Sequence, residues 1–484
     1  MGGVEHSGAR MMAEARSQTF EDMVRRVRGR GRFFTGEAPI FIARAPGRLD
    51  LMGGNVDYTG GLVFQATIRE ATWAAVEQHA DDTLVFLNPQ MSERGWRSSV
   101  VFQLSDLTSE RAVRVLVNQT AEARWTAYVL GLFYWLRRRF PERVTTGANV
   151  LLYSEVPLNK GVSSSAAIEV AVMKAAAGAY DVPLAGIELA EACQYVENAI
   201  AESACGIMDQ AASVLGDENC VLPLLCQPCQ PRALVKLPEA IECLGIDSGV
   251  SHAVTGIEYE AARAAGFMGF RMICHRENLL LTLDESGRIP RFVDPRWNGY
   301  ASNIAPSEFR SRYEAGLPET MAGEEFLARY ENHADPFTTV RPGIRYRVRS
   351  CTRYAVEENQ RIRLFVELAR GAHGDDAREA FELMGDLMYQ SHWSYTECGL
   401  GNSSTDLLVD LVRAEGAANG LYGAKVTGGG AGGTVAVLCR RDAGAAFERV
   451  VDRYAESTKS TPYVFRGSSR GADAFGLRVI EAGS

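Results

Sequence analysis

Apolar residues along this chain fall into two kinds of pattern, and the changes between them mark out its elements. Short apolar runs rich in β-branched and aromatic residues come first. Ile40-Phe41-Ile42-Ala43 reads as a strand, stopped by Pro46-Gly47, and Leu62-Val63-Phe64-Gln65-Ala66 reads as another behind Thr59-Gly60-Gly61. Between Gly161 and Gly216 the spacing becomes helical. Residues 166–180 are Ala-rich and apolar, and Ile187, Ala190, Cys193, Val196, Ala199 and Ile200 trace one face at a period of ~3.6. Strand-like runs return at Val221-Leu222-Pro223-Leu224-Leu225 and Cys243-Leu244-Gly245-Ile246-Asp247. Residues 357–398 read as mainly helical, and two further strands, 423–427 and 434–439, flank a glycine cluster. A polar stretch with Pro and Arg over about 276–349 reads as an insertion, and there is no internal repeat. Strands and helices that mix without regular β-α alternation predict an α+β fold rather than a doubly wound sheet. The economical architecture is two lobes with the active site in the cleft between them: an N-terminal arm over 1–37, a lobe over 38–226 and a second lobe over 227–484.

Composition narrows the possible partners. The chain has 484 residues, 46% hydrophobic and 23% charged, enough for a large core and ordinary for a globular protein. A net charge of −9 without a basic stripe argues against a nucleic-acid partner. No run nears the ~18 apolar residues of a membrane helix, and no basic-then-apolar leader opens the sequence, so a cytoplasmic protein away from membranes is expected. Met1-Gly2 begins like a myristoylation site, but His6 stands where that motif needs Ser or Thr. The ten cysteines are scattered as reduced thiols would be, and Cys226-x-x-Cys229 lacks the further ligands of a zinc site. Nothing in the pattern specifies an oligomeric state. Of 51 basic residues only five are lysine, and two of those, Lys160 and Lys425, border glycine-rich loops. Each side chain either meets an anion there or points elsewhere.

Three loops carry candidate chemistry. Pro157-Leu158-Asn159-Lys160-Gly161-Val162-Ser163-Ser164-Ser165-Ala166-Ala167 runs straight into a helix, which puts free backbone N–H groups, three hydroxyls and the positive end of a helix dipole at one spot suited to an anion. A plain serine cap would explain one of those serines. It is not a Walker A loop, because Lys160 precedes the glycine. Lys425-Val426-Thr427-Gly428-Gly429-Gly430-Ala431-Gly432-Gly433-Thr434 holds five glycines in six residues, more than a hairpin needs, and lets backbone approach a neighbour closely. Arg44-Ala45-Pro46-Gly47-Arg48-Leu49-Asp50-Leu51-Met52-Gly53-Gly54-Asn55-Val56-Asp57-Tyr58-Thr59-Gly60-Gly61 embeds arginine and carboxylates among turn residues, a mixture suited either to a hydroxyl-rich ligand or to a solvated surface turn.

Glu197 falls on the helix that follows the serine loop, and Asp209 comes twelve positions later in Cys205-Gly206-Ile207-Met208-Asp209-Gln210. Phosphoryl transfer asks for an anion cradle, Mg²⁺ held by a hydroxyl and a carboxylate, a base for the attacking hydroxyl, and a cation for developing charge. Ser165, Glu197, Asp209 and Arg48 suit the last four roles, although each carboxylate taken alone also reads as a solvated or helix-end residue.

On these residues the chain resembles the GHMP kinase superfamily. Its three motifs occur in order over about residues 38–480, and the galactokinase branch fits best through Asp57-Tyr58-Thr59-Gly60-Gly61 and Cys205 to Gln210. The resemblance implies a two-lobed ATP-dependent sugar kinase. Asp209 would be the base or anionic partner for the anomeric hydroxyl, with Arg48 beside it. Gly161, Val162, Ser163, Ser164, Ser165 and Ala166, with Gly429 and Gly430, would hold ATP, and Ser165 and Glu197 would lie near Mg²⁺. Asp57, Gly206 and Tyr259, the last in His252-Ala253-Val254-Thr255-Gly256-Ile257-Glu258-Tyr259, would line the sugar pocket. Trp125 and Tyr128 match a Trp-x-x-Tyr element and read as core aromatics or a nucleotide-side contact.

The departures bear on the sugar. Galactokinases place Asn-Leu-Ile-Gly-Glu-His-x-Asp-Tyr after the arginine, where this chain has Asp50-Leu51-Met52-Gly53-Gly54-Asn55-Val56-Asp57-Tyr58. The Glu-His pair that the resemblance sets on the 6-hydroxyl side is therefore Gly54-Asn55. A pocket built to hydrogen-bond a hydroxyl rejects an analogue without it, so losing the carboxylate suits L-arabinopyranose, which has the ring stereochemistry of D-galactopyranose without the exocyclic CH₂OH. The same variants, with Asp247-Ser248-Gly249 and Phe267-Met268-Gly269, resemble the kinase domain of plant L-arabinokinases, without their extra N-terminal domain. The expectation is an L-arabinose 1-kinase, with galactokinase or galacturonate kinase as alternatives. A non-catalytic galactokinase-like sensor, which would have a damaged serine-alanine stretch, is disfavoured by the whole Ser164-Ser165-Ala166-Ala167.

Overall fold

The computed structural model describes residues 19–29, 33–251, 256–283, 290–372 and 377–483. Of the expected arm, residues 1–18 and 30–32 lie outside that description, as do 252–255 in the segment leading to Tyr259. Residues 19–29 are helical, with Phe20 and Val24 buried against Trp73 and Ile480.

The fold is α+β. Among the described residues the larger sheet has nine strands, in the order Arg478–Ile480, Ile40–Met52, Leu62–Gln78, Ala148–Ser154, Thr83–Leu87 and Ser99–Gln103, with Cys220–Leu225 pairing the first part of Leu62–Gln78. Two elements run longer than the sequence pattern indicates. The first strand continues through Pro46-Gly47 to Met52, and the second extends to Gln78. Pro46 is tolerated inside the sheet because the pairing slips between Pro46 and Arg48, a bulge that relieves the ladder where Pro has no N–H to give. A second slip follows between Asp50 and Met52 and turns the strand into the Gly53-Gly54 bend. The smaller sheet joins Leu421–Val426, Thr434–Arg440, Ile241–Asp247 and Val464–Phe465 in antiparallel order.

The helix Ser164–Ala179 lies on the two long strands of the larger sheet and carries small buried residues, Ala166, Ala167, Ala171, Ala175 and Ala176, that let it approach closely. Two long helices, Val348–Gly371 and Ala377–Glu397, pack on each other, and the second covers strand Leu421–Val426. The first of them starts nine residues earlier than the pattern predicts. The stretch read as an insertion contributes a small core of its own, in which Phe292, Trp297, Phe309 and Tyr313 pack on Phe270 of the helix Ile257–Arg276. No helix of the described residues is long and apolar enough to cross a membrane.

Candidate active site

The serine loop ends in backbone that most residues avoid. Asn159, Gly161 and Ser163 have φ of 59°, 70° and 61°, and the helix begins directly behind them at Ser164. Ser163 makes no cap bond to the helix, and its buried hydroxyl has no partner among the described residues, so the plain-cap reading does not hold. The first-turn N–H groups have no intrahelical acceptor, and the terminus carries partial positive charge.

The first strand meets this loop edge-on. The Arg48 N–H donates to Val162 O at 3.1 Å, and a Cβ at Gly47 would stand 2.5 Å from the same carbonyl, so only glycine permits the contact. The glycine-rich loop closes on the other side. Thr434 Oγ1 donates to Lys160 O at 2.8 Å, and Cβ atoms at Gly428 and Gly433 would lie 2.9 Å from Gly161 O and Lys160 O. Both positions have positive φ, which favours glycine a second time. Gly429 and Gly430 lie in this loop, Gly430 packed beneath Leu400 and Tyr395. Both bordering lysines meet carboxylates: Lys160 pairs with Asp247 at 2.9 Å, and Lys425, fully buried, pairs with Asp50 Oδ2 at 2.7 Å.

Arg48 reaches from the strand into the gap between these loops. Its Nε and Nη2 donate to Asp209 Oδ1 at 2.9 and 2.7 Å, and its Nη1 donates to Gly161 O at 2.6 Å. Asp209 sits in the first turn of helix Met208–Leu215, with its side chain 22% exposed and Oδ2 without a partner among the described residues. One arginine thus ties the carboxylate to the serine loop. Asp57 and Gly206 come together with it: a Cβ at Gly206 would run into the Asp57 carboxylate, so that carboxylate rests on bare backbone. Burial, then the nearby Asp209 charge, pushes the Asp57 carboxyl up to about 7. Tyr259 packs edge-to-face on Tyr58, 6.2 Å between centroids, beside this group.

Glu197 lies behind the serine loop and is pushed up to about 7 by burial and by Asp209. The nearby Ser165 hydroxyl works against that rise, and Gln210 Nε2 donates to Glu197 Oε2 at 2.6 Å. Glu169, fully buried, also accepts from Gln210, at 3.2 Å, and its carboxyl is pushed well up by burial and by the neighbouring Glu197. Tyr128 lies against the same two carboxyls, its hydroxyl raised by burial, whereas Trp125 is a core aromatic whose Nε1 donates to Arg97 O at 2.9 Å.

Several residues at the site escaped the sequence reading. Glu169 carried a signal, a lone carboxyl on an otherwise apolar helix face. Tyr354, Glu358 and Tyr395 carried none. They come from the two long C-terminal helices and hold the Gly53-Gly54-Asn55 bend: Tyr354 donates to Gly53 O at 2.7 Å, Gly53 N–H donates to Glu358 at 3.2 Å, and Asn55 N–H donates to Tyr395 Oη at 3.1 Å. Arg263 stacks over Tyr58 at 4.7 Å and makes a two-point pair with Asp335, tying the presumed insertion to the wall beside Asp57.

Comparison with known proteins fits this arrangement. Residues 127–217 match the GHMP kinase N-terminal domain, 32–78 the galactokinase galactose-binding signature and 376–456 the GHMP kinase C-terminal domain. The chain is 35% identical to the L-arabinokinase of Arabidopsis thaliana over 96% of its own length, but spans about half, 49%, of that relative. It is 30% identical to the galactokinase of Chloroflexus aggregans, with 84% of this chain and 85% of that one aligned. Galactokinase of Lactococcus lactis, solved with galactose, superposes with a TM-score of 0.70 at 20% identity, over 91% of this chain and 95% of that one. The chain therefore belongs to the GHMP kinases, in their galactokinase branch.

Proposed function

We propose that this protein is an ATP-dependent sugar 1-kinase that converts L-arabinose to L-arabinose 1-phosphate and ADP. The observation that carries the reaction is the Arg48 bridge, which fixes Asp209 beside an uncapped helix start within one cleft. In this reading the lobe over 38–226 brings the serine loop and Asp209, and the lobe over 227–484 brings Tyr259 and the glycine-rich loop.

Asp209 Oδ2 receives the proton of the anomeric hydroxyl as that oxygen attacks the γ-phosphorus, and Arg48 fixes the carboxylate and balances its charge. The N–H groups of 163–166 and the backbone of 428–430 hold the phosphates, and Asp57 and Tyr259 bind the sugar ring. Ser165 and Glu197 are a fitting pair for Mg²⁺: a buried carboxylate with its pKa raised lacks a compensating cation, and the hydroxyl beside it is a second oxygen donor. Bound there, Mg²⁺ would supply positive charge against the phosphates.

The choice of sugar rests on Gly54-Asn55 and on the likeness to L-arabinokinase. Galactose is the second reading, supported by the galactose-binding signature over 32–78 and the galactokinase relatives. A uronate is poorly matched, since Lys425 is committed to Asp50 and Arg263 to Asp335 and Ala204 O. Turnover of L-arabinose, D-galactose and D-galacturonate, measured side by side with ATP and Mg²⁺, tests the proposal. The highest kcat/KM is expected for L-arabinose, and a higher value for galactose would defeat it.

A further inference from the structure

The bend that carries Gly54 and the glycine-rich loop are joined by a side chain that belongs to neither. Tyr395, 1% exposed on helix Ala377–Glu397, donates its hydroxyl proton to Gly428 O at 2.8 Å and accepts from Asn55 N–H at 3.1 Å. Its ring is fixed edge-on by Tyr354, with centroids 5.2 Å apart, and the Lys425 ammonium lies 5.4 Å over its face.

The consequence falls on Gly54. Its φ is +48°, and a Cβ there would coincide with the Tyr395 hydroxyl, 2.7 Å from Cζ and 3.2 Å from Asp50 Oδ2. Any side chain at position 54 would have to displace the tyrosine. The absent glutamate is thus not a simple deletion, because an aromatic ring from a helix some 340 residues away fills its place. Next to it, Asn55 is 5% exposed and its Nδ2 has no partner among the described residues, which leaves one buried donor for a ligand.

Resting on the sugar-kinase reading above, the geometry points to Tyr395 as a specificity-determining residue. Its ring takes up the volume on the Gly54 side where an exocyclic CH₂OH would extend. Its hydroxyl has no proton to give that group, since the proton is committed to Gly428. A hexose must push the ring aside and so break the Tyr395 bonds to Gly428 and Asn55. A pentopyranose need not.

The test measures kcat/KM for L-arabinose and D-galactose on the same preparation, so that the ratio is blind to the folded fraction. Tyr395→Leu is expected to move the ratio toward galactose by ~10-fold or more, the scale at which pockets discriminate one carbon. Tyr395→Phe, which keeps the packing and frees Asn55 N–H, is expected to move it the same way by about 3-fold. Gly54→Glu alone is expected to lower the melting temperature and abolish turnover of both sugars, and Tyr395→Leu with Gly54→Glu to recover both folding and turnover. An unchanged ratio in either active Tyr395 variant overturns the inference, as does a Gly54→Glu protein that melts like wild type. A wild-type enzyme that prefers galactose defeats the arabinose reading by itself, and the variant ratios still report whether Tyr395 sets the preference.

Discussion

Two ion pairs anchor the same strand two residues apart, and they differ in what surrounds them. Asp50 pairs with Lys425 at 2.7 Å with both side chains fully buried, and its other oxygen accepts from Gln65 at 2.5 Å. Arg48 pairs with Asp209 at 2.7 Å, but the Asp209 side chain is 22% exposed and its other oxygen has no partner among the described residues. The first pair has every charge answered and water excluded, so it joins the two sheets and does no chemistry. The second leaves a carboxylate oxygen available, which is what the proposed role of a base requires. Equal distances thus conceal different work, and the partnering of the second oxygen is what distinguishes them.

Breaking each pair separates the two roles. Lys425→Met strands a buried carboxylate and is expected to cost about 3–5 kcal/mol, read as a lower urea midpoint, whereas Asp50→Asn combined with Lys425→Met recovers part of that loss. A lone Lys425→Met that unfolds at the wild-type midpoint would make the pair dispensable. Asp209→Asn is expected to lower kcat by ~10²-fold or more with sugar binding largely kept, and an unchanged kcat would remove Asp209 from the base role. Gly47→Ala touches neither charge. It forces the strand off Val162 O, moves Arg48 relative to the serine loop, and is expected to reduce kcat/KM by ~30-fold; wild-type kcat/KM would show that the close approach is incidental.

The smallest effect concerns pH. The carboxyl of Glu197 is raised by burial to about 7, so the folded protein holds that proton to higher pH than the unfolded chain does. Stability from this group is full below about pH 4, where even the unfolded carboxyl is protonated, and it is lost as pH rises through about 7. From pH 6 to 8 the loss is about 1 kcal/mol without ligand. Glu197→Gln should flatten that part of the profile, and parallel denaturation curves for the two proteins across the range would refute the assignment.

How much of this was legible beforehand differs by element. Ser163-Ser164-Ser165 before an Ala-rich helix is a local pattern, and the helix starts at Ser164 as that pattern requires. The path of the first strand was misread at Pro46-Gly47, because a bulge that accommodates proline depends on the partner strand. The lysines beside the two loops suggested phosphate contacts as one option; the structure turns both to aspartates that lie far away in sequence. Glu169 was readable as a misplaced carboxyl, but its raised pKa follows from burial and from the closeness of Glu197, which only the packing of three helices brings about.

By itself, then, the sequence determined the family, the α+β class and the place where the serine loop turns into its helix. A helix terminus and its glycines are short-range features, dictated by backbone geometry within a few residues. Only the tertiary structure decided which charges stay open, since Arg48 reaches Asp209 across 161 positions and Lys425 is withdrawn from the cleft by Asp50 across 375. It also decided the shape on the Gly54 side, where a missing side chain left a gap in the sequence and Tyr395 filled it in space. Close packing allows one occupant per volume, and a sequence motif cannot say which residue that will be.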